Sequence, residues 1–323
     1  MKIKFYLSNI FRVLVSYLSY PFFFMNNPVN KNNELKVLNY IFKYVKTDSY
    51  LNSISSKTKT HKVFVTKLFN LIEKKKVNNF LNYYFIQKMF FVHNRFYIII
   101  QLLSLRFTKN WFFWKKLLVE NSVGRPLRFF IYPNSSGNRI RQVYHIKKFI
   151  DWCPINISKI DLVFELGGGY GCMASIFQKI SKKIKYVIYD TREALLLQYY
   201  YLKMNNYDAS LVLPNKNIFL IGNLFKLNKF FIKKKNKKKL LIMNWSFSEI
   251  PLYERVRIEY LIYKFDYIII SFQDKFENIN NLNYFANLKK KLRKHRFETN
   301  IESITTMKFS SKLNHYYLFA KYD

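Results

Sequence analysis

The residues best suited to chemistry are a cluster of glycines with an acid on its amino-terminal side. Four of the seven glycines in this 323-residue chain lie in Gly167-Gly-Gly-Tyr-Gly171, directly after the apolar run Leu162–Leu166. Glycine lets the backbone turn tightly and approach a ligand closely, so a strand, a glycine turn and a helix predict a cradle for a nucleotide cofactor. Glu165 comes just before the first glycine. Its carboxylate would repel a pyrophosphate and attract an ammonium group, which favours S-adenosylmethionine over NAD or ATP.

A second acid strengthens this interpretation. Asp190 lies 19 residues after Gly171, at the end of the next predicted strand. In a doubly wound sheet, that position places the carboxylate beside the glycine turn, where it can accept hydrogen bonds from ribose hydroxyls. The stretch from Gly169 to Ala174 also fits the NAD fingerprint. Glu165 and the mid-chain position of the glycines still favour S-adenosylmethionine.

Three further side chains are expected at the ligand-binding edge of the same sheet. Asn223 follows the third predicted strand and is placed to contact adenine, and Asn244 ends the fourth and is placed to contact the methionine part of the cofactor. Glu249 lies in the segment Asn244-Trp-Ser-Phe-Ser-Glu249. A carboxylate whose pKa is raised by partial burial can act as the general base for a hydroxyl. A first-turn helix acid, stabilised by the helix dipole, is the competing interpretation of Glu249.

Three other polar residues give weaker predictions of a role in the site. His145, ahead of the cofactor strand, is the second candidate base, although a lone histidine is more often structural. Arg139 and Arg141 could face an anionic substrate group, but the default expectation is that both are exposed and solvated. No metal site is expected, because His, Asp and Glu do not cluster and Cys153 and Cys172 lack metal-ligand spacing.

These residues need a regular scaffold, and strands alternate with helices after residue 160. The pattern predicts an α/β fold with a doubly wound, mostly parallel sheet of seven strands, the Rossmann-like pattern of class I methyltransferases. Two terminal runs, Glu302–Met307 and His315–Tyr322, would form a hairpin that adds an antiparallel strand. The predicted strands and helices before them are Leu162–Leu166, Cys172–Lys182, Lys185–Asp190, Arg192–Asn205, Ile218–Ile221, Leu240–Met243, Leu252–Tyr263, Asp266–Ser271 and Leu282–Lys294.

The chain ahead of this pattern is predicted to be helical. It contains no glycine before Gly124, and apolar residues recur at helical spacing. We expect a helical region over residues 1–120 and a methyltransferase domain over residues 121–323. The predicted N-terminal helices are Leu35–Val45, Lys62–Glu73 and Asn79–Leu105.

Composition leaves the partner open. The net charge of +36 points to nucleic acid or anionic lipid, but abundant Lys, Asn, Ile, Phe and Tyr are also the skew expected of AT-rich coding DNA. The lysine-rich stretch Lys226–Lys239 is interpreted as a solvated loop. The apolar segment Phe5–Met25 is interrupted by Arg12 and is interpreted as a helix packed on the body, with contact to the inner face of the membrane as the alternative. Two cysteines fit a reducing cytoplasm.

Several motifs together resemble one family, the sugar O-methyltransferases of bacterial surface-polysaccharide gene clusters. The resemblance covers about residues 120–323. It departs from the family at Thr191-Arg192, where an apolar residue and proline are usual, and at Cys172, where glycine is common. The motifs that carry it are Phe164-Glu-Leu-Gly-Gly-Gly-Tyr-Gly171, Tyr189-Asp190, Leu195-Leu-Leu-Gln-Tyr-Tyr-Tyr-Leu202, Asn244-Trp-Ser-Phe-Ser-Glu249 and Ser271-Phe-Gln-Asp274.

The resemblance implies transfer of a methyl group from S-adenosylmethionine to a sugar hydroxyl, on a nucleotide-linked or lipid-linked glycan. It does not identify the catalytic base. Two rival functions remain open. The net charge suggests an RNA methyltransferase, and a methyltransferase fold can also serve as a noncatalytic scaffold.

Overall fold

The computed structural model describes residue 10 and residues 13–47, 59–90, 94–212, 216–223, 238–307 and 313–323. Its centre is an eight-stranded sheet in the order β11-β12-β8-β7-β3-β4-β6-β5. The six neighbouring strands from β8 to β5 in this order run parallel, and β12 is antiparallel to both β8 and β11. The sheet strands are β3 Leu162–Leu166, β4 Lys185–Tyr189, β5 Ala209–Ser210, β6 Ile218–Ile221, β7 Lys239–Asn244, β8 Tyr267–Gln273, β11 Phe297–Ser303 and β12 His315–Tyr322.

Helices cover both faces of this sheet. The central strands are buried almost throughout, as expected for parallel strands that are covered on both sides. The predicted α/β class with a mostly parallel sheet is therefore confirmed. The helices are α1 Lys31–Thr47, α2 Lys59–Glu73, α3 Tyr84–Met89, α4 Tyr97–Arg106, α5 Trp111–Leu118, α6 Gly137–Trp152, α7 Cys172–Ile180, α8 Arg192–Met204, α9 Leu252–Ile262 and α10 Asn281–Lys294.

The sheet differs from the predicted one in two places. It has eight strands rather than seven, because the two-residue strand β5 extends the edge beside β6. The penultimate strand lies earlier than predicted, at Phe297–Ser303, and Thr305–Met307 forms a 3-10 turn instead. Two short hairpins lie outside the sheet: β1 Arg128–Phe129 with β2 Tyr132–Ser136, and β9 Lys275–Phe276 with β10 Ile279–Asn280.

The predicted single helix Asn79–Leu105 is broken into a 3-10 turn at Phe80–Asn82 and the helices α3 and α4. A tertiary contact explains the second break. The side chain of Asn94 is fully buried, accepts a hydrogen bond from the Gly137 amide at 2.9 Å and donates to the Arg128 carbonyl at 3.0 Å. These bonds join the N-terminal helices to the start of α6, and no local periodicity encodes them.

The N-terminal helices and the sheet share one hydrophobic core. Helices α1 and α2 pack on α8, where Tyr40 stacks on Tyr199 at 5.0 Å and the Tyr200 hydroxyl donates to Glu34 at 2.6 Å. The division into residues 1–120 and 121–323 stays a prediction. Through this packing α1 and α2 support α8, which lies directly behind the glycine turn.

The two predicted surface segments are only partly described. Residues 13–19 are helical, and Val15 and Ser19 are buried against the body. Most of Lys226–Lys239 lies outside the described residues, as do residues 5–9 of the apolar segment. Within the described ranges, no helix is both long enough and apolar enough to cross a membrane.

Candidate functional site

The glycine turn connects β3 to α7 at the carboxyl edge of the sheet. Gly167, Gly169 and Gly171 all have positive φ angles, of 74°, 56° and 95°. A Cβ on Gly167 would lie 2.3 Å from the Cβ of Ser246, which no real packing allows. A Cβ on Gly169 would meet Phe90 at an ordinary 3.7 Å. The turn therefore requires glycine at Gly167 for conformation and space, and at Gly169 for conformation alone.

Asp190 lies beside this turn, and Gln198 links the two. Asp190 follows β4, and its carboxylate accepts hydrogen bonds from the Thr191 amide at 2.8 Å and from Gln198 Nε2 at 2.7 Å. The same Gln198 nitrogen also donates to the Gly169 carbonyl at 3.1 Å. Burial raises the pKa of Asp190 to about 6, although these donors favour the charged form. The structure thus brings the two sequence-predicted features together.

Glu165 lies beneath the turn, on the face of β3 that packs against α6 and α7. Only 4% of the residue is exposed, and the Tyr186 hydroxyl donates to Glu165 Oε2 at 2.7 Å. Burial raises the pKa of Glu165 to about 8, and the nearby Asp190 charge contributes to the rise. At neutral pH the carboxyl is therefore largely protonated in the absence of a compensating cation.

Asn244 lies at the end of β7, the neighbour of β3 on its other side. Its Oδ1 accepts a hydrogen bond from the Ser271 hydroxyl at 2.8 Å. Its Nδ2 is buried and has no hydrogen-bond partner in the described part of the chain. Two residues later, the Ser246 hydroxyl donates to the Leu166 carbonyl, which ties this segment to the end of β3. Asn244 therefore offers one free donor next to the glycine turn.

Asn223 follows β6, the strand on the far side of β4. The Asp190 amide donates to the Ile221 carbonyl at 3.3 Å, so the ends of β4 and β6 lie side by side. Asn223 is half-buried. The four candidate segments thus follow the carboxyl ends of the adjacent strands β6, β4, β3 and β7, around the point where the chain order reverses. Ligands of open α/β sheets bind at such a point.

Glu249 ends a 3-10 turn, Ser246–Glu249, that comes after β7. Gln273, at the end of β8, donates to Glu249 Oε1 at a long 3.5 Å and accepts a bond from the Ser248 hydroxyl at 2.9 Å. Burial raises the pKa of Glu249 to about 7, so near neutrality the carboxyl can either take up or release a proton. The buried Arg255 anchors the turn by donating to the Ser248 carbonyl at 2.7 Å.

His145 lies in the interior rather than at the open edge. The residue is completely buried, its Nδ1 pairs with the Tyr317 hydroxyl, and its ring lies 5.3 Å from that of Trp245. Burial, with the charge of Arg141, lowers the pKa of His145 well below its usual value. The ring therefore stays neutral, and its placement favours the structural interpretation over the catalytic one.

Neither arginine that was considered for an anionic substrate group is solvated. Arg139 is fully buried, lies 3.5 Å from Glu120 and donates to the Leu117 carbonyl at 2.7 Å. Arg141 is 2% exposed and donates to Asn138 Oδ1 at 2.9 Å. The expectation of solvent exposure is wrong for both residues, because both guanidinium groups satisfy buried acceptors at the start of α6. Contact with a substrate group finds no support in this placement.

Sequence reasoning missed several residues that shape the site. Trp245, with a strained φ of 61°, and Gln273 both lie within motifs that carry the resemblance, but residue type alone assigned neither of them a role. Trp245 points its indole into the interior, where Nε1 donates to His315 Nδ1 at 3.0 Å. A positive φ in a tryptophan is costly and marks a position that the surrounding fold holds in place. Among the described residues, no group of three or more His, Cys, Asp or Glu side chains could hold a metal ion.

Comparisons with known proteins agree with the architecture only in outline. No protein-family model matches the chain, and no curated protein matches it. Solved structures that resemble it are methyltransferases with various substrates. The methyltransferase domain of bacterial CtHen1-C has a TM-score of 0.39 at 12% identity, over 56% of this chain and 98% of that one. The O-methyltransferase from Bacillus cereus in complex with SAH has a TM-score of 0.39 at 9% identity, over 55% and 80%.

A third similar structure is the arsenic(III) S-adenosylmethionine methyltransferase from Chlamydomonas reinhardtii, with a TM-score of 0.35 at 14% identity, over 55% of this chain and 73% of that one. Scores of this size carry no argument about function. The function of this chain has to be inferred from its strand order and from the residues at the sheet edge.

Proposed function

We propose that the protein is an S-adenosylmethionine-dependent O-methyltransferase that acts on a sugar hydroxyl. The observation that carries the cofactor assignment is the junction of Asp190, Gln198 and the Gly169 carbonyl at the carboxyl edge of the sheet. A strand-end acid held against a glycine turn offers acceptors for the two ribose hydroxyls of a nucleoside. This arrangement is explained by a nucleoside alone, so it does not require a cofactor that carries phosphate groups.

The residues at the edge fit the rest of the cofactor. Ser246 packs against Gly167 and keeps the turn tight, and the unpartnered Asn244 Nδ2 is a donor suited to a carboxylate such as that of the methionine part. Asn223 would contact the adenine. Glu165, buried and close to neutral, would be ionised by a nearby ammonium group, because an adjacent positive charge lowers the pKa of a carboxyl.

S-adenosylmethionine supplies a methyl group bound to a positively charged sulfur, which is ready for direct displacement by an oxygen nucleophile. The chain's own part is to hold the acceptor oxygen in line and remove its proton. Glu249 is suited to the second task because burial raises its pKa to about 7. Gln273, at 3.5 Å, restrains the carboxylate while leaving it able to accept a proton.

The sugar acceptor is supported by the family resemblance of the glycine, Asp190 and Ser-Phe-Ser-Glu motifs. A general base is needed for a sugar hydroxyl, because its proton must leave during transfer and its pKa is far above neutral; a thiol, which ionises near neutral pH, depends on such a base much less. The raised pKa of Glu249 therefore favours an oxygen acceptor. Both nucleotide-linked and lipid-linked glycans present such hydroxyls.

Calorimetric titration with S-adenosylmethionine tests the cofactor assignment. Asp190→Asn should weaken binding about tenfold or more, because a charged hydrogen-bond acceptor for the ribose is lost. Gly169→Val should abolish binding. The matched control is Asp208→Asn, at a half-exposed acid that pairs with Lys216. Equal affinity of wild type and Asp190→Asn would reject the ribose contact, and no binding by the wild type would support the noncatalytic scaffold.

An acceptor screen tests the substrate class. The protein is incubated with methyl-labelled S-adenosylmethionine and with nucleotide sugars, lipid-linked glycans or structured RNA. Label in a glycan ether, stable to mild base, is the expected result. Label found only in RNA, with a submicromolar affinity that falls steeply with salt, would replace the sugar assignment by the RNA alternative.

A further inference from the structure

One surface of the N-terminal helices exposes an uninterrupted apolar stripe. Phe96, Ile100, Leu103 and Phe107 are 50%, 42%, 42% and 81% exposed. Ile100 and Leu103 lie on α4, and Phe96 and Phe107 cap its two ends; their spacing of four, three and four residues places them along one narrow face, about 16 Å long at 1.5 Å per residue. Phe112 on α5 adds a second aromatic ring that is 84% exposed. We call Phe96–Val119 the α4–α5 corner.

The stripe is not the core-facing side of α4. The opposite side holds the buried residues Tyr97, Gln101 and Leu105. There the Arg141 guanidinium donates to the Tyr97 hydroxyl at 3.4 Å, and the Gln101 side chain donates to the Thr306 hydroxyl at 3.2 Å. Because these contacts fix the orientation of α4, the exposed stripe cannot be buried by rotation of the helix. A helix that is apolar on both sides calls for a second apolar surface.

The charges around the stripe all have one sign. From residue 94 to residue 119 the sequence contains no Asp or Glu, and the first acid, Glu120, is buried against Arg139. Arg106, Lys109, Lys115 and Lys116 are exposed in the same corner. The Arg106 guanidinium lies 5.6 Å from the Trp111 ring. The corner therefore combines apolar side chains that can be inserted with cations that favour an anionic surface.

We propose that the α4–α5 corner docks the protein on an anionic lipid bilayer, with the apolar stripe entering the boundary between head groups and acyl chains. Helices that lie in a membrane interface combine Phe and Leu on one side with flanking Lys and Arg. A second copy of this chain would bring the same cations together, and each copy carries a net charge of +36. RNA would use the cations and the exposed phenylalanine rings, but it would leave the aliphatic side chains of Ile100 and Leu103 in water, whereas a bilayer interface buries both kinds of apolar side chain.

This inference goes beyond the proposed function, because it concerns where the protein works and holds for any acceptor. It also differs from membrane contact by the apolar segment Phe5–Met25, which the sequence suggested. The α4–α5 corner is already folded, and the contacts on the buried side of α4 hold it in place. Docking there would concentrate the protein at a surface that presents lipid-linked substrates.

Vesicle flotation of the full-length chain tests the proposal. Phosphatidylglycerol-containing vesicles are compared with pure phosphatidylcholine vesicles at physiological salt. Phe107→Ser/Phe112→Ser should lower the partition coefficient on anionic vesicles at least about tenfold while leaving every charge in place. The matched control is Leu252→Ser/Val256→Ser, because these side chains on α9 are 48% and 69% exposed and have Glu254 as a neighbour. The control should partition like the wild type.

Each other outcome overturns the proposal. If the Phe107→Ser/Phe112→Ser variant and the wild type partition equally, any vesicle binding arises from the general positive charge of the chain and not from the apolar stripe. Loss of self-association in sedimentation velocity, without vesicle binding by the wild type, would identify a second copy as the occupant. A loss of structured-RNA affinity in the variant, without vesicle binding by the wild type, would identify RNA as the occupant of the corner. An unchanged circular dichroism spectrum and urea midpoint in the variant separate a docking defect from a folding defect, whether or not the protein binds S-adenosylmethionine.

Discussion

The buried carboxyl of Glu165 makes the stability of this protein depend on pH in a calculable way. Burial, with the charge of Asp190, raises its pKa from an ordinary 4.5 to about 8. Each pKa unit corresponds to about 1.36 kcal/mol, so ionisation of Glu165 opposes folding by roughly 3 kcal/mol at pH 7 and roughly 4 kcal/mol at pH 8. Glu165→Gln removes the titration and keeps an acceptor for the Tyr186 hydroxyl.

The direction of the pH dependence is set by proton binding. Between pH 4.5 and pH 8 the carboxyl is ionised in the unfolded chain and protonated in the folded one. The folded state binds the extra proton, so this group makes the free energy of unfolding fall as pH rises through that window. Glu165→Gln is insensitive to it. Its stability relative to the wild type should therefore increase by roughly 3–4 kcal/mol from pH 5 to pH 8.

Urea unfolding followed by circular dichroism at pH 5, 6, 7 and 8, at constant ionic strength, measures this difference. Only the change with pH is compared, because Glu249 and the buried histidines titrate alike in both proteins. Asp190 is coupled to Glu165 and contributes less than burial does to the raised pKa of Glu165. Glu298→Gln, at an exposed acid near Lys321, is the control. A constant difference between Glu165→Gln and wild type across the four pH values would refute the reasoning that Glu165 is buried and close to neutral.

Two further predictions concern catalysis and stability. The kcat/KM for methyl transfer should fall about tenfold per pH unit below pH 7, because protonated Glu249 cannot accept a proton. The Glu249→Gln variant should lose about 10²–10⁴-fold in rate, while its affinity for S-adenosylmethionine stays unchanged. A Glu249→Gln variant with wild-type rate would exclude it as the base. Arg139→Met should lower the free energy of unfolding, measured in urea, by about 3 kcal/mol, because the buried Glu120 loses its ion-pair partner and keeps only the hydrogen bonds from Ser136 and the Asn121 amide. Glu120→Gln/Arg139→Met should recover part of the loss. A fully stable single variant would contradict the pairing.

Local patterns predicted the parts of the fold in which a strand or helix is defined by its own residues. The run Leu162–Leu166 is the strand β3 from end to end, and His315–Tyr322 is β12. Both strands are mainly apolar and largely buried, β3 among parallel neighbours and β12 between two antiparallel ones, so their bounds can be read from composition. The predicted strand Glu302–Met307 is wrong because the real strand, Phe297–Ser303, has only two apolar residues, Phe297 and Ile301, and so gives little local signal of a strand.

Tertiary contacts decided what periodicity could not. The apolar pattern continues from Asn79 to Leu105, yet Asn94 interrupts the helix because its buried side chain serves the Gly137 amide and the Arg128 carbonyl. His145 and Arg139 are likewise polar residues, and both lie on α6. How much of that helix is buried depends on the segments packed against it, so the sequence of the helix alone does not indicate it. A buried polar group must find a partner, and the partner is set by the packing of distant segments.

The sequence by itself determined the α/β class, six of the eight strands of the sheet, and the pairing of a glycine turn with a strand-end acid. Each of these depends on residue type and short spacing. The tertiary structure alone decided how the site is joined: Gln198 bridges Asp190 and Gly169, Ser246 closes on the end of β3, and burial raises the pKa of Glu249 to about 7. Burial and hydrogen-bond geometry depend on segments far apart in the chain, so only the folded arrangement determines them.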